Sequence, residues 1–139
     1  MSLEQNKDVA IASFRLIETG DQIIASDFVN REAEDDPEQE DRNAKGADGF
    51  LATSSWLRAA FADLRFEDIE AIAEDDRVAV RATMTGRHSG EFQGIKATGR
   101  SFRQRQIHFF RLHRHKIVDH VAERDDLGLM LQLRLRLAR

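Results

Sequence analysis

The sequence contains no cysteine, no tyrosine and a single proline, Pro37. The missing cysteine excludes disulfides, thiol nucleophiles and thiolate metal ligands together. The missing tyrosine excludes a phenolic hydroxyl as proton donor. No apolar run approaches the roughly 20 residues that cross a bilayer, and Met1–Asp8 has no apolar signal core. Positive charge is not in excess either. The formal net charge is −4, which argues against nucleic acid as the partner. These absences predict a soluble, cytoplasmic protein with neither a nucleic-acid nor a membrane partner.

What is present suits one folded unit, 1–139. Hydrophobic residues make up 41% and charged residues 33% of 139, enough apolar material for a core without staples. Val9, Ile11, Ala12, Phe14 and Ile17 fall on a helical stripe over residues 5–19, which ends at Gly20. Asp21 is placed to cap a short second helix through Ala25. The acidic run Glu32–Asp41 reads as a solvated connection or as a lid over a pocket. Gly46–Phe61 predicts a third helix with Phe50, Leu51, Trp56, Leu57, Ala60 and Phe61 on its apolar face.

Beyond Asp63 the period changes to two. Strands are expected over Arg65–Ala73, Arg77–His88, Ser101–Leu112 and Lys116–Asp126. Four glycines at 86, 90, 94 and 99 mark the long connection between the second and third strands. Helices followed by antiparallel strands define an α+β domain. Three helices cannot cover both faces of four long strands. The sheet is therefore expected to curve around the helices, with its other face toward water or a second subunit.

A two-residue turn at Arg114-His115 fixes a register for the last hairpin. It sets His108 across from Val121, Gln106 across from Glu123 and Gln104 across from Asp125. One face then carries Phe102, Gln104, Gln106, His108, Phe110, Leu112, Ile117, Val121, Glu123 and Asp125. The opposite face carries His120 and four arginines, 103, 105, 111 and 124. The arginine-free face is assigned to the interior, and His88 shares the parity of its own strand's buried residues. Buried amides and carboxylates without partners cost a few kcal/mol. So many on one inner face predict a pocket with a polar floor, in which Asp125 faces an enclosed apolar space. A slip of one residue inverts the assignment.

Three segments resemble the SnoaL-like polyketide and ester cyclases. One is Asp48-Gly49-Phe50 through Trp56–Leu64 to Arg65-Phe66-Glu67. Another is Gly86-Arg87-His88-Ser89-Gly90-Glu91-Phe92, with Gly94-Ile95 and Thr98-Gly99-Arg100. The last, and the most specific, is Lys116-Ile117-Val118-Asp119-His120 running to Arg124-Asp125-Asp126-Leu127-Gly128-Leu129 and Gln132-Leu133. The resemblance covers residues 28–133. It implies the cone-shaped fold of the nuclear transport factor 2-like superfamily, a strongly curved antiparallel sheet around N-terminal helices, in a homodimer or homotetramer paired through the sheet. It implies cofactor-independent aldol closure of an apolar carbonyl or ester molecule, with no metal and with Asp125 as general acid/base. It also matches Asn30 to a pocket asparagine.

The sequence departs from the family at Arg31 (often histidine), Val121 (often tryptophan), Lys96-Ala97 (often Pro-Pro) and the tail after Gln132-Leu133, which lacks the usual glycine. These positions bear on the substrate more than on the fold. Ketosteroid isomerases and scytalone dehydratases of the same superfold use tyrosine hydroxyls, which this sequence cannot supply.

An aldol closure removes a proton from a carbon between carbonyls and returns one to the new alkoxide. One carboxyl group can do both in turn. The candidate catalytic residues are Asp125, His108 and His88. The histidines would hydrogen-bond an enolate oxygen or orient the carboxylate. The candidate substrate-binding residues are Asn30, Gln104, Gln106, Val121, Trp56, Phe50 and Phe14. The competing reading makes Asp125 a cap on the C-terminal helix or an arginine partner. The protein is then a non-catalytic module holding an apolar ligand, or an interaction protein using its arginine-rich outer face.

Overall fold

The computed structural model describes residues 2–15, 24–30 and 47–134, with the side chains of 15, 24–30, 47, 49 and 50 outside that description. Helix α1 spans Leu3–Ala12, followed by a 3₁₀ turn over Ser13–Arg15, strand β1 over Ile24–Asn30 and helix α2 over Ala47–Ala60. Strands β2 (Phe61–Glu74), β3 (Arg77–His88), β4 (Ser101–His113) and β5 (Lys116–Arg124) follow, and helix α3 covers Asp126–Arg134. The fold is α+β, as expected. The expected acidic connection at 32–41, Arg31 and Leu135–Arg139 lie outside the described residues.

Local chemistry sets the element boundaries. Ser2 and Gln5 form a reciprocal capping box at the start of α1, each side chain taking the other's backbone N–H. Strand β4 alternates buried and exposed without a break from Phe102 to Leu112, the pattern of a strand with one covered face. Of the short helix expected from Asp21 through Ala25, residues 21–23 lie outside the described residues, and Ile24 and Ala25 are strand. Ile24–Asn30 is a strand that runs parallel to β5 and gives the five-stranded order β1-β5-β4-β3-β2. Its Ile24, Phe28 and Val29 suit an extended chain at least as well as a helix.

Strand β2 starts four residues before the expected Arg65, directly at the end of α2. It carries two register shifts against β3, between Ala62 and Arg65 and between Glu67 and Glu70. Asp63 and Asp68 within those shifts have φ of 55°, a left-handed conformation that aspartate tolerates better than most residues. Each shift puts an extra residue into β2, and such bulges bend and twist a strand. Both of the β2 bulges thus sit at aspartates.

The inner face holds two apolar clusters. One joins Ala10 of α1 to Val78, Val80, Phe110, Leu112 and Ile117. The other joins Leu57, Ala60, Leu129 and Leu133 of the helices to Phe61, Met84, Phe92 and Phe102. Along β4 the residues between Phe102 and Phe110 that point inward are polar: Gln104, Gln106 and His108.

The turn at Arg114-His115 has the two residues expected, and His113 faces Lys116 and Leu112 faces Ile117. The register then shifts by one residue, so Arg111 faces Asp119 and Val118 is the extra residue. From there the hairpin departs from the expected pairing. Phe110 faces His120, His108 faces Ala122 and Gln106 faces Arg124. His120, Ala122 and Arg124 therefore occupy the inner face, while Val121 faces outward opposite Phe109. The error was one residue in size and inverted β5 from Asp119 onward, because side chains alternate faces.

Helix α3 continues the edge of β4 where β5 ends. The Asp125 N–H donates to Arg105 O at 3.1 Å. Beyond it the Gln132 side chain takes over, accepting from Arg103 N–H at 2.9 Å and donating to Arg103 O at 2.8 Å. A side-chain amide thus occupies the place of a strand residue and ties α3 to the sheet.

Candidate active site

Four side chains form a hydrogen-bonded ladder between the apolar clusters. Gln104, Gln106, His108 and His120 are 1, 3, 5 and 1% exposed, so each polar atom must find a protein partner. Gln104 Nε2 lies 3.0 Å from Asp126 Oδ1 and 3.3 Å from the Asp125 carbonyl oxygen. Gln106 Nε2 lies 2.8 Å from Gln104 Oε1. His108 Nε2 lies 2.6 Å from Gln106 Oε1, and His108 Nδ1 lies 2.8 Å from His120 Nε2. The two imidazoles stack at 5.1 Å with an interplanar angle of 9°. Phe14 meets the His108 ring edge-on at 4.8 Å.

The ladder has a direction. The oxygens of Asp126 and of the Asp125 carbonyl accept hydrogen bonds, so the Gln104 amide turns its NH₂ toward them. Its Oε1 then accepts from Gln106, whose Oε1 in turn accepts from His108 Nε2–H.

Asp125 sits at the end of this ladder but not in an enclosed pocket. It is exposed, and its Oδ1 accepts the Gly128 N–H at 2.9 Å, capping α3. The β4–β5 pairing ends at Gln106–Arg124, so Asp125 is not paired across from Gln104, and the Gln104 amide reaches the Asp126 side chain instead. Arg124, expected on the outer face, is the β-partner of Gln106, with its side chain 17% exposed and its Nε 3.7 Å from Asp126 Oδ1.

The remaining candidates are dispersed. His88 is fully buried, as its parity implied. Its Nδ1 accepts from the Thr98 N–H at 3.2 Å and lies 3.1 Å from Thr98 Oγ1. The accepted N–H places the His88 hydrogen on Nε2, which has no partner among the described residues. The β3 residue facing Gln104 is Met84, so His88 is four residues further on, about 13 Å along the strand. Trp56 packs against Phe92 at 5.1 Å in the second apolar cluster. Phe50 lies in α2 and Asn30 pairs in register with His120; their side chains are outside the description. Val121 lies on the other face.

Sequence reasoning missed His120, Arg124 and Asp126. Hydrogen-bond satisfaction offered a signal. Opposite Val121, His108 finds no second polar neighbour, whereas one step of slippage brings His120 alongside. A groove of about 610 Å³ lies apart from all of this, lined by Ile72–Arg77, Ala79 and Phe109 near the β2–β3 turn.

Comparison with known proteins gives the family. The sequence profile of the SnoaL-like polyketide cyclases matches residues 7–133, and the chain belongs to that family. It is 38% identical over 90 residues to the aklanonic acid methyl ester cyclase DnrD of Streptomyces peucetius, covering 64% of this chain and 62% of that protein. It is 29% identical over 116 residues to the aklanonic acid methyl ester cyclase AcmA of Streptomyces galilaeus, covering 83% and 81%. The match spans less than two thirds of the length of DnrD. Among solved structures, IdmH of Streptomyces antibioticus superposes with a TM-score of 0.77 at 26% identity, covering 94% of this chain and 99% of that one. No helix among the described residues is long and apolar enough to cross a membrane.

Proposed function

We propose that this protein is a cytoplasmic cyclase that closes a ring in a polyketide ester by intramolecular aldol addition. Its substrate is of the kind for which DnrD and AcmA are named. A carboxylate at the head of α3 removes a proton from the carbon between two carbonyls. The resulting enolate carbon attacks a ketone carbonyl of the same molecule, and the alkoxide formed takes the proton back. Asp125 is the residue we assign to this work, because it holds the family's acid/base position. Its Oδ1 is engaged by the Gly128 N–H, so Oδ2 is the oxygen for the proton. Arg124 lies at the same end of the ladder to orient substrate oxygens, while the buried Gln104 amide holds Asp126 and the Asp125 carbonyl in place.

The observation that carries this reading is the junction of Asp125-Asp126 with the buried ladder through Gln104 Nε2. The decisive comparison is turnover of an aromatic polyketide methyl ester by wild type, Asp125→Asn and Asp126→Asn. Asparagine caps a helix as well as aspartate does, so Asp125→Asn removes proton chemistry without removing the cap. We expect its rate to fall by roughly 10²–10⁴-fold, the usual share of acid/base catalysis. An unchanged rate would exclude the role.

The exposure and capping bond of Asp125 favour a second reading, a non-catalytic module that holds an apolar ligand in the same fold. Saturable binding of the ester without turnover would support it. In either case we infer a homodimer or homotetramer paired through the outer sheet face.

A further inference from the structure

We propose that His120 is a positioning residue: it holds the hydrogen of His108 on Nε2 and thereby fixes the orientation of the Gln104 amide at the head of α3. This inference rests on the cyclase reading for its effect on rate, though not for its structural content.

The argument follows from the donors and acceptors of the ladder. At one end, Asp126 Oδ1 and the Asp125 carbonyl oxygen lie 3.0 and 3.3 Å from Gln104 Nε2. At the other end is an imidazole pair, with His120 Nε2 2.8 Å from His108 Nδ1. A neutral imidazole has one N–H and one acceptor, and its tautomer is set by the partner on the other nitrogen. His120 Nε2–H donates to His108 Nδ1, which leaves the His108 hydrogen on Nε2, 2.6 Å from Gln106 Oε1. Gln106 then points its NH₂ at Gln104 Oε1 and Gln104 points its own at the two oxygens. The four side chains from Gln104 to His120 are each buried to at least nine-tenths, so water is not available to repair a mismatch among them; Asp126, at the end of the row, is exposed.

Removing the His120 donor opens the other tautomer to His108. With the hydrogen on Nδ1, Nε2 becomes an acceptor and faces Gln106 Oε1, another acceptor. Relief requires both glutamine amides to turn over. Gln104 then presents its carbonyl oxygen to Asp126 Oδ1 and to the Asp125 carbonyl oxygen, and the repulsion shifts the backbone and the Asp126 side chain at the head of α3, next to the Asp125 carboxylate. His120 therefore acts on the head of α3 through three intermediaries, without touching substrate.

The test reads the tautomer directly, by ¹⁵N chemical shifts of the imidazoles in the full-length protein. In the wild type we expect His108 protonated on Nε2 alone. In His120→Phe, which keeps an aromatic ring in the stack, we expect the hydrogen to redistribute toward Nδ1. Turnover of the ester should fall by roughly 10- to 100-fold, the scale of a small misplacement of reacting groups, with the loss in kcat more than in KM. His120→Gln, which restores an N–H donor, should recover part of both. A wild-type His108 protonated on Nδ1, or on both nitrogens, overturns the proposal without recourse to a variant. So does a His120→Phe protein that loses turnover with its tautomer unchanged, since His120 is then only packing. If wild type turns over no polyketide ester, the cyclase reading fails, and the tautomer measurement still decides the role of His120.

Discussion

A β-carbon on residue 128 would sit 2.1 Å from Asp125 Oδ2, so the Asp-x-x-Gly spacing has a steric cause. Asp125 folds over the first turn of α3 because Gly128 leaves the space and supplies the N–H. The same glycine costs the helix about 1 kcal/mol in propensity relative to alanine. Gly128→Ala should recover that amount and lose a comparable one, about 1 kcal/mol, as the carboxylate swings off its cap. Thermal unfolding should therefore change little while turnover drops sharply. If Gly128→Ala keeps full activity, the carboxylate's position over α3 is not what the chemistry uses. The residues of this last block were legible as a motif. Their arrangement was not, because spacing alone does not distinguish a carboxylate in a cavity from one capping a helix.

At the scale of elements, α3 depends on one amide. Gln132 satisfies both backbone groups of Arg103 where β4 has lost its strand neighbour, and Arg100 Nη1 donates to the Gln132 carbonyl at 3.3 Å. Replacement by leucine keeps the bulk and removes both bonds to Arg103, together with the one that Gln132 Nε2 donates to the Gly128 carbonyl oxygen at 3.1 Å. At about 1 kcal/mol net per bond, Gln132→Leu should destabilise the protein by roughly 2–3 kcal/mol in a denaturant titration. Hydrogen exchange at the Arg103 amide should accelerate, and a protected Arg103 amide in the variant would refute this docking. The strands β3 and β4 were legible to within a residue because one face is continuously covered and period two is unambiguous there. The β5 register was not. The extra residue Val118 carries no glycine or proline signal, and its flanking Ile117 and Asp119 read equally well in either phase. The parallel strand β1 was hidden for a related reason: its seven residues, Ile24–Asn30, are too few for periodicity to separate strand from helix.

Across the whole sheet, the outer face carries an apolar row that crosses four strands in register. Ile72 faces Ala79, Ala79 faces Phe109, and Phe109 faces Val121. Ile72 and Phe109 are 71 and 45% exposed, and Ile107 beside them is 50% exposed. The rows on either side, Glu74-Arg77-Arg111-Asp119 and Glu70-Arg81-Ile107-Glu123, mix both signs of charge, with Arg81 and Glu70 paired at 3.2 Å. An apolar centre inside a charged border is the ordinary anatomy of an association surface, which is why we assign the inferred homodimer to this face. Phe109 makes the cleanest test, since its side chain points away from the core and its loss should not cost the fold. Phe109→Lys places a charge at the centre of the row, where two copies would bring like charges together without water. Sedimentation equilibrium should show wild type as a dimer or tetramer and the variant shifted toward monomer, with an unchanged circular dichroism spectrum. Equal masses for the two proteins would move the interface elsewhere or remove it. The ladder is on the opposite face of the same strands. Phe109→Lys should therefore leave the His108 tautomer intact, which separates assembly from the chemistry proposed for the inner face.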